Sequence, residues 1–104
     1  MRLPSLSGLR AFEAVARHLS FKLAAAELAV TPTAISHRIR RLEEELVCEL
    51  FHRQTRSISL SAAGQVLLPD VRDAFQRLEA AAAKLRDVEG PDNLTIDGFK
   101  MVNR

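Results

Sequence analysis

With 104 residues, 47% of them hydrophobic and 27% charged, and a net charge of +2, the chain has the makeup of one small soluble domain with an appended element, free of low-complexity tracts. The absence of Trp and Tyr, with only five Phe, argues against a platform that stacks single-stranded bases. A single cysteine, Cys48, excludes an internal disulfide and fits a reducing cytosol; no apolar run reaches membrane-spanning length and MRLPSLSGLR is no signal peptide, so a cytoplasmic place is expected.

Pro4 and Ser5 precede a first helix, about Leu6 to His18, whose Leu9, Phe12, Val15 and Ala16 mark one apolar side. It is expected to buttress the next two helices. Arg10, Glu13 and Arg17 read as a solvated face, and His18 as a structural residue whose protonated ring would suit the negative end of the helix dipole. Ser20 can cap a second helix containing Phe21, Ala24, Ala25 and Leu28, and Thr31 followed by Pro32 is a strong start signal for a third.

In that third helix Ile35, Ile39, Leu42 and Leu46 recur at steps of four, three and four, an apolar stripe. At about 100° per residue the opposite side carries Thr33, His37, Arg40, Arg41 and Glu44, with Ser36 on its edge and Arg38 nearer the flank. Hydroxyls and cations so arranged suit phosphates and the acceptor-rich edge of guanine. Ala25, Ala29 and Ile35 stand at the small, small, branched spacing of a helix-turn-helix corner. An ordinary helical hairpin would share the apolar spacing but would not require the basic outer face. Glu43, Glu44 and Glu45 form an acidic patch expected to pair with Arg40 and Arg41 or to repel DNA from that end.

The helix is expected to end near Leu46. Leu50 to Ser61 can form a hairpin in which Leu50 and Phe51 enter, Ile58 and Leu60 return, and Gln54 to Ser57 make a polar tip. Ser61 then caps a long helix in which Leu67, Ala74, Ala81 and Val88 repeat every seven residues, interleaved with Val71, Leu78 and Leu85 and flanked by Phe75. About 27 residues at 1.5 Å each would span near 40 Å, longer than so small a core can cover, so the seam points to self-association. Pro69 leaves the Gln65 carbonyl without its usual partner, and a kink is expected there. Gly90-Pro91-Asp92-Asn93 stops the helix. The expected organisation is thus 1–60 for the compact domain, 61–89 for the long helix and 90–104 for a tail. The basic excess lies in residues 1–60, with nine Lys/Arg against six Asp/Glu, whereas residues 61–104 hold six against seven.

Taken in order, SFKLAAAELAVTPTAISHRIRRLEEEL and CELFHRQTRSISLSAAG resemble the N-terminal DNA-binding region of LysR-type transcriptional regulators, particularly the branch related to the glycine-cleavage activator, over about residues 4 to 90. The resemblance implies a mainly α, winged helix-turn-helix of three helices and a short hairpin wing, followed by a long dimerisation helix that pairs antiparallel between subunits. It implies double-stranded DNA and a second copy of the chain as partners. Pro32, Thr33, Ser36 and His37 match positions that meet base edges, joined by Arg40; Ser20, Lys22, Thr31, Arg38 and Arg41 are phosphate candidates, with Arg53 and Arg56 in the wing. The dimerisation set is Leu67, Val71, Ala74, Phe75, Leu78, Ala81, Leu85 and Val88.

The chain departs from the family in four places. Val47 stands where Gly is usual, His37 and Arg38 where Arg and Gln are frequent, Leu23 where a basic residue is common, and Ser61 where Thr is commoner. Relatives continue into a large effector-binding domain, so no small-molecule effector site is expected within these 104 residues.

Two other classes compete. One is a helical dimerisation or adaptor module that uses the 61–89 seam and leaves DNA untouched. The other is a metal or thiol enzyme: Cys48 and His52, with His37 and His18, are the only soft ligand types present, but they lack zinc spacing, and no glycine-rich elbow accompanies Cys48. No cofactor is expected.

Overall fold

Side-chain hydroxyls start the helices of the short N-terminal bundle. In the computed structural model, which describes residues 2–89, Ser5 accepts the Gly8 N–H at 3.0 Å to open α1 (Leu6–His18), Ser20 accepts Leu23 N–H at 3.0 Å to open α2 (Phe21–Leu28), and Thr31 accepts Ala34 N–H at 3.1 Å to open α3 (Pro32–Leu46). Each helix closes on a non-glycine residue in the left-handed region: Leu19 (φ 51°), Ala29 (φ 59°) and Val47 (φ 57°). After α2 and α3 two backbone bonds complete the turn, Val30 N–H to Ala25 O at 3.0 Å and Cys48 N–H to Glu43 O at 3.1 Å being the outer ones. Val47 therefore occupies the position that ordinarily favours glycine, in a left-handed conformation that is costly for a β-branched residue.

α1 buttresses the other two helices, as expected. Ala11 and Ala14 are as fully buried as Phe12 and Val15, because α1 packs against both α2 and α3. Ile35, Ile39 and Leu42 of α3 fill the facing side, with Leu50 beneath them. Ala25 is buried at the helix-turn-helix corner as its spacing foretold, whereas Ala29 is exposed and serves the turn.

The hairpin is short. β1 (Phe51–Arg53) pairs antiparallel with β2 (Ile58–Leu60), Phe51 opposite Leu60 and Arg53 opposite Ile58. Reciprocal bonds between Gln54 and Ser57 (2.9 and 3.4 Å) close the ribbon and leave Thr55 and Arg56 as its tip. Phe51 anchors the base, its ring 5.5 Å from that of Phe12.

α4 (Ala62–Glu89) runs as one helix through Pro69. Ser61 caps it from a buried position, its Oγ accepting Gly64 N–H at 3.0 Å while donating to the Glu49 carbonyl at 2.6 Å. A Cβ on Gly64 would stand 2.3 Å from the Leu50 carbonyl oxygen, so only glycine lets α4 start this close to the hairpin. The first compact unit extends to Arg72 and the rest of α4 belongs to a second. The expected tail, 90–104, lies outside the described residues. Among the described residues no helix is long and apolar enough to cross a membrane.

Candidate nucleic-acid interface

The outward face of α3 is built by its inward one. With Ile35, Ile39 and Leu42 buried, helical geometry turns Thr33, His37, Arg40 and Arg41 to the surface, where all four are exposed, while Ser36 and Arg38 lie half-buried at the edges. Thr31 and Pro32 are exposed at its N-terminus.

Ser20 and Thr31 each sit at a helix start. Capping uses a lone pair of each hydroxyl and leaves its O–H free to donate, beside the positive end of a helix dipole. Lys22 is exposed on the first turn of α2, and Leu23, where a cation is common, is exposed without one. These groups can hold an anion such as phosphate, and the outward face of α3 carries further hydrogen-bond donors. Among the described residues no cluster could hold a metal.

The wing separates two arginines treated alike in the sequence. Arg56 is exposed at the tip. Arg53 is already engaged: its guanidinium lies 3.4 Å from Glu43 Oε1 and 5.0 Å from the centre of the Phe21 ring. Glu43 also accepts the Leu50 N–H through Oε2 at 2.8 Å. The expected pairing of the acidic patch with Arg40 and Arg41 is therefore incorrect for Glu43, which reaches back to the hairpin; among the described residues Arg40 and Arg41 make no ion pair. One signal was available, since Glu43 falls on the flank of the apolar stripe rather than on the outer face.

A second network corrects the reading of α1 as merely solvated. Arg17 holds Glu13 through two bonds of 2.9 Å and Glu27 through bonds of 2.8 and 2.7 Å, and His18 Nε2 lies 2.7 Å from Glu27. Hydrogen bonds from Arg17, then His18, pull Glu27 down to a pKa of about 2; the Arg17 bond likewise lowers Glu13, and the two carboxylates raise Arg17. His18 thus ties α1 to α2 through a carboxylate.

The long seam divides. Val71 is buried in its own domain and Leu67 half-buried; Phe75 is half-buried; Ala74, Leu78, Ala81, Leu85 and Val88 are exposed, the three larger ones at 55%, 65% and 80%. Five of the eight expected dimerisation residues are thus exposed among the described residues of the single chain.

Comparison with known proteins agrees with this architecture. The profile described as "Bacterial regulatory helix-turn-helix protein, lysR family" matches residues 6–65. The chain is 45% identical over 95 residues to the glycine cleavage system transcriptional activator of Escherichia coli K12, covering 91% of this chain and 31% of that protein, so it spans about a third of such a relative's length. It is similar to the protein in a BenM_DBD–benA site 1 DNA complex (TM-score 0.75, 25% identity, 84% of this chain and 98% of that one). It is also similar to that in a CbnR_DBD–DNA complex (TM-score 0.72, 29% identity, 83% and 99%). Its three helices, hairpin and long helix match those domains, and the family is one of regulators rather than enzymes. The chain belongs to the LysR family of bacterial regulatory helix-turn-helix proteins.

Proposed function

We propose that this chain reads double-stranded DNA in a sequence-specific way, as a transcriptional regulator or the DNA-binding part of one, with α3 in the major groove. The observation that carries the reading is the outward face of α3: Thr33, His37, Arg40 and Arg41 exposed together, with capped hydroxyls at the starts of α2 and α3 beside them. Ser36 and His37 donate to purine acceptors, Thr33 offers its methyl to thymine, Pro32 packs at the helix start, and Arg40 reaches guanine or phosphate. Ser20, Lys22, Thr31, Arg38 and Arg41 hold the backbone, and Arg56 brings the wing tip to the backbone or the neighbouring minor groove. The DNA complexes of the BenM and CbnR domains support this reading, since they correspond to this chain over nearly their whole lengths.

We also propose a homodimer through α4. Apolar residues repeating by heptads at 55–80% exposure leave a stripe that a second copy would cover. Two recognition helices held by one dimer read an interrupted palindrome.

The test is affinity across a salt series, with random duplexes sequenced after selection by the chain. Enrichment of an interrupted palindrome, with affinity falling steeply in salt, is the expected result. No binding even at low salt would overturn the reading and leave the adaptor function through the 61–89 seam in its place.

A further inference from the structure

A ribbon of three residue pairs has little stability of its own, so its direction is set by whatever ties it to the body. Strand alternation puts Phe51 and Arg53 on one side and His52 on the other. Phe51 secures the base of the ribbon in the core, and Arg53, two residues nearer the tip, is held between Glu43 of α3 and the Phe21 ring of α2. Both oxygens of Glu43 are used, one on the Leu50 N–H and one on Arg53, and its side chain is only 16% exposed. A carboxylate so enclosed is stable only while partnered, which holds the arrangement together. Beyond Arg53 the Gln54–Ser57 bonds close a two-residue loop, so the tip carrying Arg56 takes the direction given to Arg53.

We infer that Glu43 and Arg53 are positioning residues of the wing: their ion pair sets the ribbon's angle against α2 and α3 and so places Arg56 on DNA, without Arg53 itself touching the duplex. This rests on the DNA-binding reading above. It also changes the sign of an expected effect. If Arg53 were a direct phosphate contact, Glu43 would compete with DNA for it, and neutralising Glu43 would strengthen binding; if the pair positions the wing, neutralising Glu43 weakens binding even though a negative charge has left the interface.

The experiment uses the full chain with two duplexes, one enriched by selection and one random, and compares wild type, E43Q, R53Q, R56A and the double variants E43Q/R56A and R53Q/R56A. Glutamine at 43 keeps an acceptor for the Leu50 N–H, and R53Q leaves that bond untouched; far-UV circular dichroism confirms each fold. E43Q and R53Q should each weaken binding to both duplexes by at least about threefold when Arg56 is present and by less than about twofold when it is absent. Each should also flatten the salt slope toward that of R56A, a change of about one unit, while base preferences at positions read by α3 stay fixed. Tighter or unchanged binding by E43Q would overturn the inference, as would an R53Q loss of equal size with and without Arg56. Failure of the wild type to bind either duplex is a different result, which removes the DNA-binding reading itself.

Discussion

Replacing Val47 by glycine should stabilise the protein. The residue has φ 57° and ψ 43°, and its side chain is 86% exposed, so truncation removes almost no packing. The left-handed conformation costs an L-residue about 1–2 kcal/mol, and a β-branched one lies at the upper end. Glycine gives back about 0.5–1 kcal/mol through the greater freedom of the unfolded chain. The net expectation is a gain of about 1 kcal/mol, equivalent to a rise in Tm of about 4–8 °C for a domain of this size. With no Trp or Tyr available, urea unfolding is monitored by far-UV circular dichroism at fixed protein concentration, and the urea dependence should keep its slope. Ala29 supplies an internal comparison, since it closes α2 with the same two-bond turn at φ 59° but has no branch at Cβ. A29G should gain less than V47G. A V47G variant no more stable than wild type, or a gain that A29G equals, would refute the claim that the branched side chain strains this corner.

H37A should change which base is preferred within each half-site and lose about 1–3 kcal/mol on the selected duplex, whereas R56A should weaken all duplexes and lower the salt slope by about one; equal effects of both on selected and random DNA would refute that assignment of roles. G64A should destabilise by about 1–3 kcal/mol, because the new methyl meets the Leu50 carbonyl and a Leu60 methyl at 2.3 and 2.7 Å; an unchanged urea midpoint would show that the hairpin yields. Glu27 has a folded pKa of about 2, below the ordinary value near 4.3, so its ion pairs stabilise fully above about pH 4.5 and are lost as pH falls toward 2. E27Q should therefore be about 0.5–1 kcal/mol less stable than wild type at pH 7, with the gap closing in acid; a gap independent of pH would mean the loss is packing and not charge. L78D should abolish self-association in sedimentation while leaving the fold intact, and a variant that remains dimeric would place the interface elsewhere.

The range of each force decides which features were legible in the sequence and which were hidden. Ser5, Ser20 and Thr31 were legible as helix starts because a capping hydroxyl reaches only three residues ahead, and the stripe of α3 because burial imposes its own period. The exposed seam of α4 was legible for the opposite reason: among the described residues of the single chain nothing covers Leu78, Leu85 or Val88, so their repeat stands uninterrupted. Ala11 and Ala14 hid how wide a face of α1 is buried, since a buried methyl leaves no mark in an apolar pattern that solvent-facing alanines do not also leave. Gly64 gave no sign that it admits the Leu50 carbonyl, and Glu27 none that it gathers Arg17 and His18, because both depend on contacts ten or more residues apart or across separate elements. Arg53 and Arg56 show the limit most clearly. Three residues apart and chemically identical, they differ only because strand alternation turns one toward Glu43 and Phe21, while the turn carries the other past the last pair of the ribbon. Local sequence can say that a wing is basic. Which of its cations is left unengaged is decided by an acid ten residues upstream, on another element.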